Sequence, residues 1–113
     1  MAAKLITVAE TPLFVRQAEA VWEDQERIEF VSFIAANPNA GDVIPDTGGV
    51  RKVRWSRAGS GKRGGVRVVY FYSDANRPIY LLMVYAKARQ ENLSPAEKRS
   101  VRDLTALLKG KRK

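Results

Sequence analysis

Between Gly49 and Tyr72 the chain reads GVRKVRWSRAGSGKRGGVRVVYFY, two alternating runs around a basic, glycine-rich loop. From Val50 to Trp55, Val53 and Trp55 share one parity and Lys52 and Arg54 the other. Period-2 alternation marks a strand with one face buried and one in water. Past the loop, Val66, Val68, Tyr70 and Tyr72 share one parity, and Arg67, Val69 and Phe71 the other. If Val53, Trp55, Val68 and Tyr70 face the core, Lys52, Arg54 and Arg67 converge on the opposite face. Three cations on one sheet face repel one another and serve no packing purpose. They point to a polyanion. Edge protection by lysine accounts for one such residue and poorly for three.

The flanking segments supply the packing. A short strand is expected over Leu5 to Val8. Thr11-Pro12 then starts a helix, with threonine as N-cap and proline at the first helical position. Phe14, Ala18, Val21 and Trp22 make its buried stripe. A second helix is expected from Asp24 to Ala36, with Glu23, Asp24 and Glu26 at its positive end and Ile28, Val31, Ile34 and Ala35 inside. Asn37-Pro38 ends it. Asn39 to Gly48 reads as a loop in which Val43 and Ile44 tuck against the core. After the hairpin, SDANRP forms a turn, and Ile79 to Lys87 is apolar on both parities, as a central strand should be. Tyr85 and Lys87 emerge at its end, on one face. Ser94-Pro95-Ala96-Glu97 is a capping box, and Val101, Leu104 and Leu108 give the last helix its inner stripe. The fold class is α+β: a small, antiparallel-rich twisted sheet in the order β-α-α-β-β-β-α, with two N-terminal helices on one face and a C-terminal helix.

At 113 residues the chain makes one domain, ending in the basic tail KGKRK (109–113). It contains no cysteine and no histidine. Disulfides, thiolate or histidine metal sites and histidine-assisted nucleophiles are thereby excluded; the missing cysteines suit a cytoplasmic protein. Neither a membrane span nor a signal peptide is evident. The net charge of +8 is divided unevenly. Residues 1–49 carry three basic and eight acidic side chains, a net of −5; residues 50–113 carry seventeen and four, a net of +13. Such polarity marks the second half as the part that meets nucleic acid.

The loop AGSGKRGG superficially suggests a phosphate loop. That pattern needs glycine where Ser56 stands and serine or threonine where Arg63 stands, and it joins a strand to a helix rather than to another strand. What remains is a loop whose Lys62 and Arg63 suit backbone phosphates. Of the aromatics, Phe71 or Tyr85 would stack on a base if exposed. No close carboxylate pair occurs in the basic half, so no metal or other cofactor is implied.

The run GDVIPDTGGVRKVRW, then GSGKRGGVRVVYFY, then IYLLMVYAK ahead of LSPAEK, resembles the RelE/ParE superfamily of bacterial toxin–antitoxin modules, closest to its HigB-like branch. The resemblance covers the chain from the second helix onward. It implies a compact sheet with two N-terminal helices and a ribosome-dependent mRNA endonuclease that inhibits translation. The partners implied are mRNA in the ribosomal A site, 16S rRNA, and a neighbouring antitoxin of helix-turn-helix type with an acidic inhibitory segment. The family pattern places catalytic residues at Lys52, Arg54, Arg67 and Lys87; the loop and strand-end readings add Lys62, Arg63 and Tyr85 as expected contacts to substrate or rRNA. The tyrosine that RelE carries beyond the last strand has no counterpart around Leu93 and Ser94, where Tyr85 is the available substitute. Without histidine, the proton acceptor among the side chains is a lysine, Lys87 first and Lys52 second. The rival readings are a ParE-like toxin that binds DNA gyrase without cutting, and a basic RNA-binding module.

Overall fold

The computed structural model describes residues 5–55 and 65–110. Its elements are β1 (Val8–Glu10), α1 (Pro12–Val21), α2 (Asp24–Ala36), β2 (Asp42–Val43), β3 (Val50–Trp55), β4 (Val66–Phe71), β5 (Ile79–Ala86) and α3 (Pro95–Gly110). The strands form one sheet in the order β1-β5-β4-β3-β2. β1 runs parallel to β5, and every other pairing is antiparallel. Among the described residues, no helix is long and apolar enough to cross a membrane.

Thr11 caps α1 by accepting from Phe14 N at 3.3 Å, and the same hydroxyl donates to Leu81 O at 2.8 Å. The cap therefore also docks the helix on β5. Gln17, two turns on, accepts from Val84 N at 3.0 Å, satisfying a β5 amide beyond the end of β1. α2 opens with a capping box between Glu23 and Glu26. Together α1 and α2 bury Phe14, Ala18, Trp22, Phe30 and Ile34 against Val66, Val68 and Tyr70, with Val53 and Trp55 packed alongside.

Three expectations are corrected. The first strand begins at Val8, not Leu5. Residues 5–7 instead run past the end of α2, where Ile6 N donates to Ala35 O at 3.0 Å. Ile28 is exposed, and Phe30 takes the core position. Two residues apart on a helix lie on nearly opposite sides, so the stripe follows the larger apolar payload. Phe30 stands between the rings of Trp22 and Trp55, each with its centroid 5.4 Å away. Lastly, Val43 and Ile44 do not both turn inward. The segment pairs with β3 as the short strand β2, and adjacent strand residues face opposite ways. Ile44 is buried and Val43 is 52% exposed.

α3 covers the other face of the sheet. Val101, with Leu104 and Leu108, packs against Val50, Val69, Phe71 and Leu82. Its capping box is formed as the sequence predicts, with Glu97 N donating to Ser94 Oγ at 3.1 Å and Ser94 N to Glu97 Oε1 at 2.9 Å. Val50 and Phe71 are register partners under α3, while Arg54 and Arg67 are partners four residues along the same face. One end of that face is a second core. The basic end lies beyond it.

Candidate active site

The hairpin brings the basic residues together by register. Arg54 lies directly opposite Arg67, and Lys52 lies opposite Val69 on one side and Asp42 of β2 on the other. Opposed residues of an antiparallel pair point to the same side, with Cβ atoms about 4.5–5.5 Å apart. Like charges so placed are destabilising without a counter-charge. Lys52, Arg54, Arg67 and Asp42 line an open cleft of about 250 Å³. Arg54 is exposed, while Arg67 is only 8% exposed and forms the cleft's floor. A largely buried guanidinium beside an exposed one suits a bound phosphate.

Lys52 is held in place: its Nζ donates to Asn92 Oδ1 at 2.8 Å. Asn92 and Asp42 both belong to this site, and the sequence reading passed over both. Asp42 had no readable signal, because the two-residue strand that puts it across from Lys52 makes no periodic pattern. Asn92 had none, since its place depends on how the loop after β5 folds back.

Tyr85 is the register partner of Arg67 on β5. Its ring is buried, and its hydroxyl has no hydrogen-bond partner among the described residues. Burial pushes the phenol above its ordinary range, with the Arg67 charge pulling the other way. Phe71 is buried too. Neither ring offers a face for stacking, which corrects that expectation: both sides of this sheet are packed, so strand aromatics are consumed as core. Lys87 lies two residues beyond Tyr85, where its N–H donates to Gly65 O at 3.1 Å. Its amine stands 3.9 Å from the Glu91 carboxylate and does not line the cleft. Lys62, Arg63 and residues 111–113 of the tail lie outside the described residues.

A small α+β sheet with two helices on one face, a third on the other and a cationic cleft beyond it defines the structural class. Comparison with known proteins makes this narrower. A family described as the RelE toxin of the RelE/RelB toxin–antitoxin system matches residues 10–113, and the chain belongs to that family. The fold is also that of the E. coli toxin RelE, solved in the free state as a mutant with two arginines changed to alanine. The TM-score is 0.57 at 11% identity, covering 89% of this chain and 97% of that one.

Proposed function

We propose that this protein is the toxin of a toxin–antitoxin pair and acts as a metal-independent endoribonuclease on mRNA in the ribosomal A site. The observation that carries this reading is the Arg54–Arg67 register pair, with Lys52 beside it, in an open cleft. The reaction is attack of a ribose 2′-hydroxyl on the adjacent phosphorus. It forms the new P–O2′ bond, breaks P–O5′, and leaves a 2′,3′-cyclic phosphate and a 5′-hydroxyl. The two guanidiniums bind the non-bridging oxygens and stabilise the dianionic phosphorane, whose charge exceeds that of the starting phosphodiester. Lys52, oriented by Asn92, is the first candidate to take the 2′-hydroxyl proton, and water or ribosomal RNA protonates the leaving O5′. Lys87, ion-paired at the strand end, is the second candidate. A site with no histidine pair is chemically incomplete by itself, which favours a requirement for the ribosome to position substrate.

The test is primer extension on translated and untranslated transcripts. Cleavage confined to translated messages is the expected result. Equal cutting of both sinks the ribosome requirement, and intact RNA with stalled replication favours a gyrase-binding toxin. Arg54→Ala should slow single-turnover cleavage about a hundredfold, on the order of 3 kcal/mol, as loss of one charge-stabilising donor does elsewhere. Lys52→Arg retains the charge but not the proton acceptor. A full rate in that variant excludes Lys52 as base and turns attention to Lys87→Arg.

A further inference from the structure

Beside the cleft lies a second hollow of about 320 Å³, between β2 and the segment leading from β5 into α3. The two share Asp42 and Lys52 as lining residues. Building on the ribonuclease reading, we propose that this hollow is a nucleobase subsite, holding the base of the nucleotide next to the scissile phosphate.

Its walls are of two kinds. Ile44, Pro45 and Leu93 supply apolar surface, while Asp42, Asn92 and Lys98 supply polar groups. Small-ligand sites combine apolar walls with a few placed polar groups in volumes of about 300–1,000 Å³. A nucleobase matches this, with two apolar faces and a hydrogen-bonding edge. Pro45 is the telling residue. It is exposed beside the short strand, whereas Val43 pairs with Arg51 and turns to the opposite face of the sheet.

The polar groups are set in advance. Gln90 Nε2 donates to Asn92 O and to Glu97 Oε1, both at 3.1 Å, tying the loop to the capping box of α3. Because Asn92 Oδ1 already accepts from Lys52, its amide nitrogen is the group left to donate to a ligand. The Asp42 carboxylate can only accept when ionised. A donor and an acceptor lining one hollow match a base with an exocyclic amino group next to a ring acceptor, as in adenine or cytosine. Uracil lacks an amino group and fits worst. Lys98, in the first turn of α3, is in position to take the nucleotide's outer phosphate. Lys52, lining both hollows, is then the hinge between scissile phosphate and neighbouring base.

The subsite is testable apart from cleavage, by following backbone amide shifts of the full chain on adding AMP, CMP, UMP or inorganic phosphate. AMP and CMP should shift residues 43, 92, 93 and 98, with UMP weaker by about fivefold or more. Phosphate alone should shift the surroundings of Arg54, Arg67 and Lys98 but not residues 92 and 93. Asn92→Ala and Pro45→Asp, both at exposed positions, should each weaken AMP binding about tenfold. Nucleotides that shift only what phosphate shifts overturn the subsite, as does unchanged AMP affinity in both variants. Pocket shifts with AMP alongside intact translated transcripts would uphold the subsite while removing the ribonuclease reading. Cleaved transcripts with no pocket shifts would do the reverse.

Discussion

At the scale of single residues, Tyr85 marks the limit of the cleft. It occupies the place next to Arg67 across the sheet, yet its hydroxyl is sealed from solvent and unbonded among the described residues. A buried polar group left without a partner costs about 1–3 kcal/mol. Tyr85→Phe should therefore leave stability in urea at neutral pH unchanged or raise it by about 1 kcal/mol, and should leave cleavage intact. A hundredfold loss of cleavage with unchanged stability would mean that the hydroxyl reaches substrate after all. Alkaline pH gives a second readout. Burial raises the folded-state pKa of Tyr85, and likewise that of Tyr70, against opposing effects of Arg67 on the one and of Gly41 N–H and Arg51 on the other. A group bound more tightly to its proton when folded stabilises fully below its unfolded pKa, near 10 for tyrosine. That contribution is lost as pH climbs from there through the folded value. Unfolding free energy should thus fall above about pH 10, and less steeply in Tyr85→Phe.

At the scale of elements, the short strand β2 holds the site's acidic wall, and Gly41 lets it do so. Tyr70 OH donates to Pro38 O at 2.8 Å and accepts from Gly41 N at 2.9 Å, while Arg51 Nη1 donates to Gly41 O at 2.6 Å. A Cβ at position 41 would fall 2.8 Å from Lys52 O and 3.0 Å from the Tyr70 ring. Backbone on one side and a fully buried ring on the other cannot yield cheaply. Gly41→Ala should cost about 1–3 kcal/mol in urea unfolding, as overpacking does. It should also reduce cleavage, since β2 carries Asp42 opposite Lys52. A variant as stable and active as the parent would mean that β2 is not needed for the cleft. None of this was readable beforehand, because two residues make no periodic signal and a glycine in a loop has many possible reasons. The long elements were readable: the hairpin alternation put Lys52, Arg54 and Arg67 on one face, and Thr11-Pro12 and Ser94-Pro95 marked two helix starts within a residue. The errors fell where tertiary packing chose between neighbours. Phe30 displaced Ile28 because it bridges two tryptophans, and Tyr85 was drawn into the core because α3 covers its face. α3 was legible as a helix, but its side of the sheet was not, since an apolar stripe does not say which face receives it.

At the scale of the whole molecule, charge is divided between the two faces of the sheet. The helical layer of α1 and α2 carries Glu19, Asp24, Glu26 and Glu29 with Glu23 between them, against Arg16 and Arg27. Arg27 is engaged by Glu10, which accepts from its Nη2 at 2.6 Å and its Nε at 3.1 Å. The other face carries the cleft and α3, with Lys98, Arg99, Arg102 and Lys109. Such a molecule is oriented by a polyanion before it touches it, because one face attracts while the other repels. The same field should act on the proposed antitoxin partner if its inhibitory segment is acidic. Steered association slows as salt screens the charges over a Debye length of about 10 Å at 0.1 M and less at higher salt. The association rate measured by stopped flow should therefore fall at least about tenfold between low and high salt. Dissociation, governed by contacts already made, should change less. Reversing Arg102, exposed on the basic face, to glutamate should slow association and flatten its salt dependence. Reversing Glu29, exposed on the acidic face, to lysine should not slow it. A rate indifferent to salt, or equal slowing by both reversals, would show that the asymmetry does not guide the partner.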